Sequence, residues 1–231
     1  MKKALLWLSV AIIVGIGLVV AYGALLQSNW LGALVDGITA HHPQNLPWYI
    51  TRSAAITAYV LMFIVVVLGT GMTGGFVYRF INPIKAWTIH KYVSIALGVV
   101  VLVHIFSLFF DSFVHFGITE LFVPLASSFK PVYVGMGIIG FYLLVITILV
   151  SIFLRIRTPR FWRATHYVVY PLFAFSFVHG VMTGTDSAVS AMVDMYWITG
   201  IIFILLMMYR IVGYVLHRRA LARLRLAGDD A

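Results

Sequence analysis

What most limits the folds open to this chain is the recurrence of apolar runs, each about as long as a bilayer is thick. Residues 4–26 contain no Asp, Glu, Lys or Arg. Runs with few charges follow at 50–72, 87–111, 132–154, 161–183 and 191–216. A helix rises about 1.5 Å per residue, so roughly 20 residues cross a hydrocarbon core of about 30 Å. The composition agrees: 62% of residues are hydrophobic and only 10% charged, against about 25% charged in an ordinary soluble domain. That much apolar surface cannot fit one globular core, so lipid must be its solvent. The expectation is an all-α integral membrane protein, a bundle of six transmembrane helices in a cell membrane, the bacterial inner or plasma membrane. Run 4–26 is longer than a typical signal-peptide core, so it is taken as a retained first span; cleavage near Ala21 would leave five.

Charge supports the count. The net charge of +9 is not the footprint of a nucleic-acid binder, because the basic residues sit in the short segments between runs. Lys2, Lys3, Arg79, Lys85, Lys91, Arg155, Arg157, Arg160, Arg163, Arg210, Arg218, Arg219, Arg223 and Arg225 fall on one side of six alternating spans. Arg52 and Lys130 fall on the other. The positive-inside rule then puts both termini in the cytoplasm. It also makes the third and fifth spans parallel. Three regions follow: residues 1–49, a first span and outer loop; 50–216, the functional bundle; and 217–231, a basic tail. The stretch 118–125 is apolar but short and is expected at the interface.

Histidine is the residue type that carries chemistry here. His90 and His104 lie on the third span, 14 residues or about 21 Å apart along a helix. His166 and His179 lie on the fifth, 13 residues or about 20 Å apart. On parallel spans this puts one pair at each membrane face, His90 with His166 inside and His104 with His179 outside. Ionisable residues within a membrane mark function by default, and two axial imidazoles suit a haem that only transfers electrons. On an ideal helix His90 and His104 share a face to within about 40°, whereas His166 and His179 are about 140° apart. Pro171 lies between the latter pair, so the fifth helix is expected to be irregular there. Two other roles stay open: hydrogen bonds that tie helices together, and a proton relay, which would recruit Asp or Glu within the spans. The absence of cysteine excludes thiolate haem, c-type attachment and cysteine-ligated iron–sulfur clusters.

The remaining candidates are weaker. His41, His42, His115 and His217 are expected to be solvated, with His115 placed to handle protons near an outer haem edge. The glycines from Gly69 to Gly75 are taken as a helix C-terminus rather than a phosphate loop, since no strand precedes them. Haem propionates need counter-charges. Arg79, Lys85, Lys91, Arg160 and Arg163 are available inside. Outside there are only Arg52 and Lys130, of which Arg52 is the better candidate. Phe173, Phe175, Phe177, Phe141 and Tyr142 lie between the two levels, and packing or lipid contact is their expected role.

The pattern H-x13-H on one span and H-x12-H two spans later resembles the ferric reductase-like transmembrane domain. That superfamily includes NADPH oxidases, eukaryotic ferric-chelate reductases and the bacterial haem subunit of the periplasmic methionine sulfoxide reductase system. The resemblance covers about residues 50–208. It implies two b-type haems, ligated by His90 with His166 and by His104 with His179, in an electron conduit. The first two groups continue into FAD- and NAD(P)H-binding domains. This sequence stops at Ala231, so the expectation is an oxidoreductase component without such a domain of its own. Its donor would be a cytoplasmic flavoprotein or quinol, with any flavin on a partner or at the cytoplasmic face. Its acceptor would be external ferric iron, oxygen or a redox protein. His166-Tyr167-Val168-Val169-Tyr170 resembles the fifth-helix motif of the methionine sulfoxide reductase subunit, but that group usually lacks a histidine at the position of His90. A role as that haem subunit is the alternative. A non-redox transporter or assembly factor is the alternative of another class.

Overall fold

A computed structural model describes residues 46–110 and 116–229, and every regular element in them is helical. The order is α1 (Leu46–Gly74), a 3-10 turn (Phe76–Arg79), α2 (Pro83–Leu108), α3 (Ile118–Phe122), α4 (Pro131–Phe153), α5 (Pro159–His166), α6 (Val169–Thr183) and α7 (Ser190–Asp229). The expected first span and His41, His42 and His115 lie outside the described residues. Four helical segments are long and apolar enough to cross a membrane: Pro47–Gly74, Pro83–Leu108, Pro131–Phe153 and Ser190–Leu216. The chain is a multi-pass membrane protein.

Local sequence explains where the helices begin and end. Proline occupies the first turn of α2, α4 and α5, where its missing N–H would have had no partner anyway. The Asn82 side chain caps α2 by accepting from the Ile84 amide at 2.9 Å. Gly75 ends α1 in the left-handed conformation, with φ 80°, which fits the expected helix C-terminus. The other glycines of that run are not loop residues, however: Gly69 and Gly71 lie inside α1.

The expected fifth span is divided. Helix α5 stops at His166 and α6 starts at Val169. Pro171 supplies no amide and its ring crowds the carbonyl four residues earlier, that of Tyr167. The break falls there. The amides of Tyr167, Val168 and Tyr170 instead reach carbonyls three residues back, those of Ala164, Thr165 and Tyr167. The irregularity expected near Pro171 is therefore present, one helical turn before the proline. Helix α7 is longer than expected: the basic tail continues the helix to Asp229, and 40 residues make about 60 Å.

Helix α1 is the hub. Half of its most apolar window is buried, against 17% for α2 and α4 and 11% for α7. It packs along α2 and also touches α6 and α7, while α4 packs along α6. The helices α2 and α6, which carry His104 and His179, are not a closely packed pair. Between the two histidine levels lies the tightest part of the core. Leu97 of α2 and Leu172 and Phe173 of α6 are fully buried there, against Met62, Val65 and Val66 of α1. Phe173 stands 4.6 Å from Phe203 and 5.8 Å from Tyr59, ring centre to ring centre. Packing, the expected role, is what Phe173 shows. The outer faces expose Leu102, Phe106, Ile146, Ile152, Ile204 and Leu205, a surface suited to lipid chains.

Candidate functional site

Two cavities flank the packed layer, each of ≈ 260 Å³, and each is bordered by one histidine pair. His104 and His179 line the first. His90 and His166 line the second. The structure therefore pairs the four residues as their depth along the helices suggested. The tightened backbone before Pro171 contributes, because a 3-10 residue turns about 20° further than an α-helical one. Three such residues recover about 60° of the mismatch between His166 and His179.

His104 and His179, the outer pair in the expected orientation, are held by backbone. His104 Nδ1 lies 3.1 Å from the Thr51 carbonyl oxygen of α1, and His179 Nδ1 lies 2.9 Å from that of Tyr133 in α4. A carbonyl only accepts, so both Nδ1 atoms carry hydrogen and both Nε2 atoms keep a lone pair in the neutral rings. That is how proteins commonly prepare imidazole for a metal. The supports are themselves braced. Thr51 Oγ1 and Ser107 Oγ are 2.7 Å apart, and Ser107 Oγ donates to the His104 carbonyl at 2.9 Å. Helix α4 approaches His179 closely because residue 137 is glycine: a Cβ there would lie 2.6 Å from His179 Nδ1.

His90 and His166, the inner pair in the expected orientation, face each other directly. The His90 and His166 ring centres are 6.2 Å apart with planes inclined at 54°. Two imidazoles bound on opposite sides of one metal at about 2.0 Å would have centres about 6 Å apart. Both Nδ1 atoms are buried; that of His166 has no hydrogen-bond partner, while that of His90 falls short of a full hydrogen bond but interacts with the Val65 backbone of α1. The Trp162 ring lies 5.2 Å from that of His166, and the Trp162 indole donates to Ser151 Oγ at 3.2 Å. Gly69 makes room for His90, whose Cε1 would lie 3.2 Å from a Cβ there.

These features fit haem. Among the described residues no group of three or more His, Cys, Asp or Glu could hold a bare metal ion. Two imidazoles suffice only for a metal that brings its other ligands with it, as haem iron does. The unpartnered buried nitrogen of His166, and the glycines at residues 69 and 137 against His90 and His179, leave room for such a group. Among the described residues no acid lies mid-span beside either pair, and the acids that line the His104–His179 cavity, Glu120 and Asp186, are engaged with Ser128 and Gly117 and with Arg52. Cross-helix hydrogen bonding accounts for Nδ1 of His104 and His179, and His90 interacts with the Val65 backbone, but it leaves His166 unexplained.

The cations are arranged unequally. Arg163 and Arg210 line the inner cavity, and Arg210 donates to the Tyr167 hydroxyl at 3.2 Å. Arg52 lines the outer cavity, as its place in the sequence suggested, but its charge is already matched. Its Nε donates to Asp186 Oδ2 at 2.8 Å, and its Nη2 bonds Oδ1. Its guanidinium also lies 4.0 Å from the centre of the Trp48 ring. Lys130 donates to the Met182 carbonyl at 2.6 Å, at the C-terminal end of α6. Asp186 is the functional candidate that sequence reasoning missed. The one available signal was that it is the acid in the short loop after His179. The segment from Phe116 to Phe129 also contributes, as Phe116, Glu120, Leu121 and Phe129 line the outer cavity.

Comparison with family models, curated proteins and solved structures finds no match.

Proposed function

We propose that this chain is a transmembrane electron conduit holding two b-type haems, with the organisation of a ferric reductase-like domain. His90 with His166 would hold one haem and His104 with His179 the other. Bound there, the haems would supply one-electron redox chemistry with no open coordination position. The observation that carries the proposal is the placement of two histidine pairs on two separate cavities, with the Nδ1 atoms of His104 and His179 tied to carbonyls. The residues of this chain orient the imidazoles, exclude water from the layer between the cavities, and match charge at the cavity rims. Taking α5 and α6 together as one broken span, and residues 4–26 as another, gives six spans with both termini cytoplasmic. The donor would be a cytoplasmic flavoprotein or quinol, and the acceptor external ferric iron, oxygen or a redox protein.

The test is the reduced-minus-oxidised absorption spectrum of the purified protein, with haem quantified per chain. Two low-spin b-type haems are expected. One haem per chain would remove one histidine pair from the proposal, and a folded, haem-replete preparation without haem would end it.

A further inference from the structure

The outer histidines sit on helices that do not pack closely together, so something else must fix their separation. A continuous path of bonds joins them across the outer rim. His104 Nδ1 donates to the Thr51 carbonyl at 3.1 Å. The next residue, Arg52, forms the two-pronged pair with Asp186. The Asp186 loop is stitched back to the turn that carries His179: the Gly184 amide donates to the Gly180 carbonyl at 3.0 Å, and Ser187 Oγ donates to the same oxygen at 3.1 Å. Thr183 Oγ1 donates to the His179 carbonyl at 2.7 Å. Each link is short and directional, and the charged one is only partly exposed, at 23% for Arg52 and 13% for Asp186.

We infer that the Arg52–Asp186 pair is a clamp that sets the distance between His104 and His179. Its two residues are positioning residues. A planar guanidinium gripping a carboxylate through two parallel bonds fixes orientation as well as distance, which a single bond or a lysine would not. Trp48 stacked on the guanidinium restricts it further. A lone counter-charge waiting for a haem carboxylate would not need an acid already seated on it. Where it concerns haem, this inference rests on the function proposed above; where it concerns helix spacing, it does not.

The chain contains no cysteine, so spin labels can be placed at will. Labels at Phe106→Cys and Met182→Cys, both exposed positions, report the separation of α2 and α6 in the full chain in lipid nanodiscs. One narrow distance distribution is expected in the parent. Asp186→Asn and Arg52→Gln should each broaden it, and the charge swap Arg52→Asp with Asp186→Arg should narrow it again. Distributions that superimpose across parent and both single variants would overturn the clamp. If the single variants do not fold, recovery of folded protein by the swap supports the clamp, and a swap that fails equally overturns it.

The same samples carry a second readout through their haem. Asp186→Asn and Arg52→Gln should both alter the low-spin signal that His104→Ala abolishes, and leave the other signal unchanged. Midpoint potentials that move in opposite directions in the two variants, with an unaltered low-spin signal, would mean that the pair acts through charge alone and would overturn the clamp. Samples with a narrow parent distribution but no haem would refute the redox proposal while the label distances still decide the clamp.

Discussion

One methyl group at residue 137 would meet the His179 ring, since a Cβ there would lie 2.6 Å from Nδ1. Gly137→Ala is therefore expected to push His179 off the Tyr133 carbonyl and lower outer haem occupancy several-fold, with inner haem retained. Haem per chain and the remaining low-spin signal check this. Phe173, 1% exposed, is a wall between the cavities rather than a ligand. Phe173→Ala should cost about 3–5 kcal/mol, read as a lower midpoint in denaturation from detergent micelles. The histidines themselves were legible in the sequence because imidazole is rare in a membrane span and their spacing could be converted to depth. Asp186 was not, because its partner is 134 residues away and nothing local marks an ion pair between distant segments. Gly69 and Gly137 were illegible for a similar reason: a glycine that makes room for a ring reads the same as one that ends a helix.

Helix α6 owes its orientation to Pro171. Pro171→Ala restores an amide facing the Tyr167 carbonyl, so α5 and α6 should merge into one regular helix. That would swing His166 relative to His179 by roughly 60°. The expected outcome is loss of the inner haem with the outer one kept, alongside a small gain in helical circular dichroism. The sequence located the irregularity because proline geometry is local. The exact turn depended on which carbonyl the ring crowds. The segment around α3 was less legible, since several of its hydrogen bonds converge on one carboxylate. Glu120 accepts from the Gly117 amide, and from the amide and hydroxyl of Ser128, at 3.0 to 3.2 Å. Those bonds, the Gly117 amide first, hold its carboxyl below the usual carboxylate range. A carboxyl with a lowered value contributes order that is present above its unfolded value and lost as pH falls through the lowered one. Amide exchange at Gly117 and Ser128 should therefore be protected near neutrality and lose protection in acid, whereas Glu120→Gln should weaken that protection at every pH.

Across the whole molecule, the count of apolar runs and the bias of basic residues foretold a multi-pass helical protein. The hub position of α1 did not follow from them, because apolarity does not rank the runs by enclosure: α4 is more apolar than α1 yet less buried, and only packing decides which is enclosed. The proposed orientation has a direct check in this cysteine-free chain. With an impermeant maleimide on intact cells, Thr119→Cys should label and Arg157→Cys should label only after the membrane is opened; the reverse result would invert the topology. Finally, Leu97, Leu172 and Phe173 are fully buried in the layer between the two histidine levels. Under the proposed conduit, charge would cross that layer as electrons, with no proton moving alongside. Each turnover would then shift the voltage across the membrane, by a process that itself feels about 2.3 kcal/mol per charge for every 100 mV fully crossed. An inside-negative cell would drive such a current outward, and the current would run down its own driving force unless a separate path returned the charge.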